Sequence, residues 1–209
     1  MGTNRSDFNN TWLLEMPVGL GGFETFDMLE YNIKDRIKYG STIHKLQNNL
    51  NKIQNNKTVF YWFGDNNNII LGSELYIQPQ GLVVSITGKN PRYKGKPPFA
   101  SQLYDEILND TDRSIKLLSD TQLSDEGYNI WKRLYSMGHK ISVYNRQQPG
   151  KTFTTLDSIS DFDKYFAKDD NEYEKYQFVL SESTQMLAET RSYFNTRRYR
   201  ELAGISLID

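Results

Sequence analysis

Val83-Val84-Ser85-Ile86-Thr87-Gly88-Lys89-Asn90-Pro91-Arg92-Tyr93-Lys94-Gly95-Lys96-Pro97-Pro98-Phe99-Ala100 is the stretch on which the fold turns. It opens as an apolar, β-branched strand, breaks after Gly88 into a basic, proline-containing loop, and resumes as a helix. Leu103, Ile107 and Leu108 give that helix an apolar stripe, and Asn109-Asp110 ends it. A strand, a basic turn and a helix start together can cradle a diphosphate. The first N–H groups of a helix lack intrahelical partners and carry partial positive charge, so an anion is stabilised there. Arg92, Lys94 and Lys96 add charge, and Arg92 a forked donor. The same residues also read as an ordinary basic surface turn between a strand and a helix, and local pattern leaves both readings open.

Upstream, Thr58 to Phe63 is aromatic and β-branched and stops at Gly64-Asp65-Asn66-Asn67; Ile69 to Ile77 stops at Gln78-Pro79-Gln80-Gly81. With Leu82 to Thr87 these form an antiparallel meander. Further back, Ile43, Leu46, Leu50 and Ile53 recur at spacings of three and four, which predicts an amphipathic helix over Ser41 to Gln54, capped by Ser41 or Thr42. Met28 to Ile37 fits neither period: Tyr31 to Lys34 alternates like a strand, while the whole segment is compatible with a helix.

Downstream, Ser114 to Ser119 reads as a strand. Ser124 opens a helix with acidic residues in its first turn and Ile130, Trp131 and Leu134 on its buried face. Gly138 terminates it, and Lys140 to Tyr144 is the closing strand. From residue 41 the order is α-β-β-β-α-β-α-β. That order predicts a mixed α/β fold with a mostly antiparallel central sheet flanked by helices, and not a Rossmann alternation. Residues 1–40 form an N-terminal arm, 41–148 the core, and 149–209 a helical extension packed on or beside it. In that extension Asp157 to Phe166 and Glu172 to Arg198 read as helical, and the aromatics Tyr165, Phe166, Tyr173, Tyr176 and Phe178 are expected to cover a sheet face.

Composition narrows the function. Of 209 residues 37% are hydrophobic and the formal net charge is −1, which excludes a disordered chain and argues against phosphate neutralisation as the main task. Without cysteine there is no disulfide, thiolate ligand or cysteine nucleophile, and His44 and His139 lack metal-ligand spacing, so no metal is expected. No run approaches the roughly 18 to 20 apolar residues that span a bilayer. Met1 to Phe8 lacks a signal-peptide profile, so a chain that stays in the cytoplasm is expected. The paired asparagines read mainly as codon bias, with a weaker meaning as turn chemistry.

Arg92-Tyr93-Lys94-Gly95-Lys96, set between a strand and a helix, resembles the pyrophosphate loop of the GNAT superfamily of N-acetyltransferases, whose pattern is Arg/Gln-x-x-Gly-x-Gly/Ala. The resemblance covers roughly residues 57 to 145. It implies a GNAT-like core that binds acetyl-CoA, with the pantetheine arm hydrogen-bonded along Ser85, Ile86 and Thr87 and the pyrophosphate held over Arg92, Tyr93, Lys94, Gly95 and Lys96. Pro97 stands where the pattern has its last small residue; it and Pro98 each lack the N–H that a phosphate would meet. The run Leu118-Ser119-Asp120, Leu123-Ser124, Gly127, Ile130-Trp131, Leu134 also looks like acetyltransferase-type proteins of bacteriophages.

In that family a tyrosine late in the second core helix protonates the departing thiolate, usually four residues before a glycine. Tyr135 stands three before Gly138 and is the candidate general acid, with Leu134 at the usual place. Glu74 and Asp120 are the candidate general bases, since an amine must lose a proton to attack. Each also reads structurally: Tyr135 as an aromatic at a helix end, the two carboxylates as surface or cap groups, and His139 as a structural residue beyond the helix stop. Arg197, Arg198 and Arg200, interleaved with Tyr193, Phe194 and Tyr199, suit nucleic acid, a partner protein or a solvated helix face. Two functions stay open: an acetyl-CoA-dependent N-acyltransferase acting by direct amine attack, and a degenerate GNAT-fold phage protein serving as a virion or host-interaction component.

Overall fold

A computed structural model describes residues 23–111, 115–121, 123–148, 153–166 and 175–183. Its strands are β1 (His44–Lys45), β2 (Leu50–Gln54), β3 (Thr58–Gly64), β4 (Ile69–Gln78), β5 (Gly81–Lys89), β6 (Leu117–Leu118), β7 (His139–Asn145), β8 (Thr154–Thr155) and β9 (Tyr176–Ser183). Its α-helices are α1 (Phe23–Lys38), α2 (Ala100–Asp110) and α3 (Asp125–Ser136). The strands form one sheet in the order β1-β2-β3-β4-β5-β6-β9-β7-β8. Every neighbouring pair is antiparallel except β5 and β6, which run parallel because α2 carries the chain back between them. The mixed, mostly antiparallel sheet flanked by helices is thus the architecture.

The sheet lies between two helical layers. On one face α1 lays Phe26, Leu29 and Ile33 over Ile53, Phe60, Trp62 and Ile69. Spacings of three and four put those three residues on one side of the helix, while Tyr31 stays exposed. On the other face Leu103, Tyr104, Ile107 and Leu108 of α2 and Tyr128, Trp131 and Leu134 of α3 pack on Val59, Tyr61, Leu71, Leu75 and Val84. Strand alternation sends adjacent residues such as Tyr61 and Trp62 to opposite layers, and both are buried because both faces are covered. α3 starts where its cap predicts: the Ser124 hydroxyl accepts the Gly127 N–H at 3.1 Å. Among the described residues no helix is long and apolar enough to cross a membrane.

Three expectations need correction. Ser41 to Gln54 is not a helix; it holds β1 and β2. Leu50 and Ile53, three apart, point to opposite faces of a strand, Leu50 toward α2 and α3 and Ile53 toward α1. A spacing of three serves a strand buried on both sides as well as a helix. Asn48 and Asn49 settle the matter by taking left-handed backbone angles (φ 56° and 59°), and Asn55 Oδ1 accepts the N–H groups of Lys57 and Thr58 in the next turn. Asparagine here is turn chemistry first.

The second correction concerns the closing strand. β7 does not close the sheet: β8 pairs on its outer edge, and β9, later in the chain, inserts between β6 and β7. Tyr176 and Phe178 therefore lie on a strand and not on a helix over the sheet. Third, the helix expected over Asp157 to Phe166 is a 3-10 segment, Ile159–Lys164, that buries Phe162 against Tyr128, Tyr135 and Phe178. The remainder of the expected terminal helix, beyond Ser183, lies outside the described residues, as do Tyr173 and Leu202 to Ile208.

Candidate functional site

β5 has two unlike edges. Toward β4 it is paired from Gly81↔Gln78 to Lys89↔Leu71, whereas toward β6 the register holds only Leu82↔Leu117 and Val83↔Leu118. After Leu118 the chain stays with β9: the Ser119 N–H donates to the Phe178 carbonyl at 2.8 Å, and Ser119 Oγ accepts the Phe178 N–H at 3.0 Å. Gln177 Nε2 completes the attachment on the Ser119 carbonyl at 2.8 Å. β5 continues to Lys89 with no described strand on that side. Within this stretch Glu74 faces Ile86 while Leu75 faces Val84, so Ser85 is the extra residue of a β-bulge. Such a bulge sharpens the local twist and turns the strand edge away from its former neighbour.

A chain of hydroxyls fixes the strand just past the bulge. Ser73 Oγ donates to the Ile86 carbonyl at 2.9 Å, Thr87 Oγ1 lies 2.9 Å from Ser73 Oγ, and the Tyr104 hydroxyl lies 2.8 Å from Thr87 Oγ1. Each hydroxyl has one proton. Ser73 gives its own to the carbonyl, so Thr87 donates to Ser73 and Tyr104 donates to Thr87. The Tyr104 phenol is pushed up to about 12, chiefly by burial, with its hydrogen bond to Thr87 opposing the shift and the charge of Asp120 adding to it. Asp120, just beyond β6, accepts the Thr121 N–H at 2.6 Å.

At the far end of the open edge, one 3-10 turn (Pro91–Tyr93) starts the loop, with Asn90 Oδ1 accepting the Arg92 N–H at 3.0 Å. Tyr93 is tied to Asn68 by a 3.0 Å hydrogen bond, and Gly95 takes a left-handed angle, φ 75°, that suits glycine. Arg92, Lys94 and Lys96 are exposed. Lys89 turns back under the loop, where its ammonium donates to the Lys96 and Pro98 carbonyls, the latter at 2.7 Å. Partial burial lowers the pKa of that ammonium. Gln102 Oε1 accepts the Phe99 N–H at 2.7 Å and so closes the start of α2.

The candidate catalytic side chains do not converge. Ser73 and Glu74 are neighbours on β4 and point to opposite faces. Glu74 is under α1, where Asn32 Nδ2 donates to it at 3.1 Å. Burial raises its pKa, while Asn32 and the positive charge of Arg36 pull it down. Asp120 lies just beyond β6, where its charge is felt at the Tyr104 hydroxyl. The Tyr135 hydroxyl donates to the Asp157 carbonyl at 2.7 Å, and its ring meets Phe162 edge-on at 5.5 Å. Two residues earlier on α3, Arg133 touches Phe99 beside the loop. Two residues are about 200° of helix rotation, so Tyr135 points to another side. His139 is buried at the start of β7, and Arg197, Arg198 and Arg200 lie outside the described residues.

Ser85, Ile86, Thr87 and the loop Arg92 to Lys96 lie along one continuous strand and turn. Sequence reading missed Ser73, Tyr104, Lys89 and Arg133. Tyr104 carried a usable signal: a hydroxyl beside Leu103 in an apolar helix stripe must find a buried partner. Arg133 carried none, since nothing local points it at Phe99. A separate groove of about 450 Å³ opens at the β1–β2 edge near His44, Lys52, Asn55 and Asp110. Its carboxylate is already occupied, with Lys52 Nζ and the Tyr61 hydroxyl each at 2.7 Å from Asp110 Oδ2. No protein-family model matches this chain, and neither the curated proteins nor the solved structures yield a match.

Proposed function

We propose that this chain is a GNAT-like acyltransferase that lays acetyl-CoA along the open edge of β5 and passes the acetyl group to an amine. The observation that carries this reading is the parting of β5 from β6 after Val83 and Leu118, at a bulge, beside a basic loop that leads into α2. An extended amide-containing arm can bond to backbone groups at such an edge as a further strand would. Its phosphates then reach the cations of the loop. The amine nitrogen attacks the thioester carbonyl, the C–S bond breaks, the sulfur leaves with its electron pair, and the nitrogen loses a proton. Asp120, the carboxylate whose charge reaches Tyr104, is the candidate to take that proton. A thiol with an ordinary pKa near 8.5 is a serviceable leaving group, which limits the need for an acid. Tyr135 can serve as that acid only by leaving the Asp157 carbonyl.

Calorimetric titration of the full chain with acetyl-CoA tests the reading. Saturable binding that Arg92→Ala, Lys94→Ala weakens is expected, and an absence of heat up to millimolar ligand sinks it. A second reading has its own support. Pro97 and Pro98 withhold two N–H groups from the head of α2, and the Tyr135 hydroxyl is engaged elsewhere. Both suit a GNAT-fold phage protein that no longer binds CoA and acts by contact with a virion or host protein. A stable complex with such a protein in the absence of CoA, together with a silent titration, selects it.

A further inference from the structure

Phe99 holds two cations from different parts of the fold. The Lys89 ammonium, from the end of β5, and the Arg133 guanidinium, from the last turn of α3, each lie 4.8 Å from its ring centroid. A ring face attracts a cation, and this one ring serves two. Neither is neutralised by a carboxylate among the described residues. The contrast with Lys132 is direct: one position along α3, it meets Asp163 at 3.4 Å. Lys89 uses two of its three protons on the Lys96 and Pro98 carbonyls and keeps one. Arg133 has five N–H donors, and among the described residues its sole partner is the Phe99 ring.

We propose that Lys89 and Arg133, positioned by Phe99, form a clamp for a phosphate or diphosphate group at the outer end of the open β5 edge. Arg133 supplies the forked donor that fits two phosphate oxygens at once, and Lys89 supplies a point charge from the other element. The clamp bridges β5 and α3, so it is built only when the two parts of the sheet are assembled. It is distinct from the exposed Arg92, Lys94 and Lys96, whose role was read from the loop pattern. The choice of a phosphorylated group, and of a CoA thioester in particular, rests on the function proposed above.

The test uses the full chain, titrated at low and moderate salt with inorganic pyrophosphate, with CoA, and with pantetheine, which carries no phosphate. Arg133→Gln keeps much of the stem that lies on Phe99 and removes the charge; Arg133→Lys restores a charge without the fork. Arg133→Gln is expected to weaken pyrophosphate and CoA by about tenfold or more, as loss of a charge-assisted hydrogen bond does, and to flatten the salt dependence. Arg133→Lys should recover part of that loss, and pantetheine binding should not change. Pyrophosphate that binds the native chain and Arg133→Gln equally, or no binding of pyrophosphate at all, overturns the clamp. So does an equal loss for pantetheine, which marks a structural role. If CoA binds and Arg133→Gln leaves it unchanged, the clamp falls and the acyltransferase reading survives. If pyrophosphate binding depends on Arg133 but CoA binds no more tightly than pyrophosphate, the clamp survives and the thioester reading falls.

Discussion

The two edges of β5 are paired to very different extents. Toward β4 it is a strand in an antiparallel ladder broken only by the bulge at Ser85, sealed by α1 above and α2 below. Toward β6 it is bound through two residue pairs and then runs free among the described residues. The lesson concerns where a sheet can hold a ligand. A fully paired strand has no backbone donors to spare, whereas a parted one offers them in order, on a scaffold kept rigid by the ladder on its other side. What prevents the two parts from separating altogether is packing. Trp131 of α3 meets Tyr104, bonded to β5 through Thr87, and also Phe178 of β9, their ring centroids 5.9 and 6.2 Å away.

Removing that bridge should have the largest effect. Trp131→Ala is expected to cost about 3–5 kcal/mol in urea unfolding, the range for a buried aromatic truncated to alanine. A loss under about 1 kcal/mol would mean that the seam does not depend on side-chain packing. Next come the two glycines at opposite ends of β5. At Gly81, beside the seam, φ is 146° and an added Cβ would lie 2.3 Å from the Lys116 carbonyl oxygen. At Gly88, on the open stretch, an added Cβ would lie 2.8 Å from Phe26 Cα, under α1. Alanine at either site should cost about 1–3 kcal/mol, with Gly81→Ala the worse because backbone strain adds to the clash. Hydrogen exchange separates them: Gly81→Ala should expose the amides around Leu82 and Leu118, and Gly88→Ala those of α1. The same exchange pattern from both variants would break the comparison.

Smaller effects sharpen it. Ser124→Ala removes the cap of α3 and should cost about 1 kcal/mol by thermal unfolding, without altering the β4–β5 ladder. The smallest change expected is at Glu74, on the sealed side. Burial holds its pKa above the ordinary 4.5, so between 4.5 and the raised value the folded state binds more protons than the unfolded one. Stability contributed there falls as pH climbs through that window. Glu74→Gln should abolish this fall and leave the variant at least as stable as the native chain at neutral pH. An unchanged pH profile would show that the carboxylate is better solvated than its place under α1 implies.

Much of this arrangement was legible, and the failures have physical causes. β3, β4 and β5 announce themselves through β-branched and aromatic runs cut by Gly-Asp-Asn and Pro-Gln-Gly, and α3 through its serine cap and the Trp131–Leu134 face. Those signals are local, and the structure keeps them. The segment from 41 to 54 misled because apolar residues three apart satisfy a strand buried on both faces as well as a helix. Only the left-handed asparagines between β1 and β2 separate the two. β9 misled because it follows a charged, tyrosine-containing run, Glu172 to Lys175, that reads as the start of a helix. Its place in the sheet comes from partners such as Ser119, 58 residues before Gln177.

The candidate site divides along the same line. Ser85 to Thr87 and the loop to Lys96 are contiguous, so a strand–turn–helix pattern suffices to group them. The Tyr104–Thr87–Ser73 chain and the meeting of Lys89 and Arg133 on Phe99 bring four elements together and leave no local trace. By itself, then, the sequence determined the class of fold, the meander, the helix that follows it and the basic loop between them. Each of these depends on side chains within a few residues of one another. The tertiary structure alone decided that β5 loses its neighbour after Val83, that Glu74 lies under α1, and that Tyr135 points away from the loop. Strand pairing and the facing of helices are set by burial summed over the whole core, and no short window of sequence contains that sum.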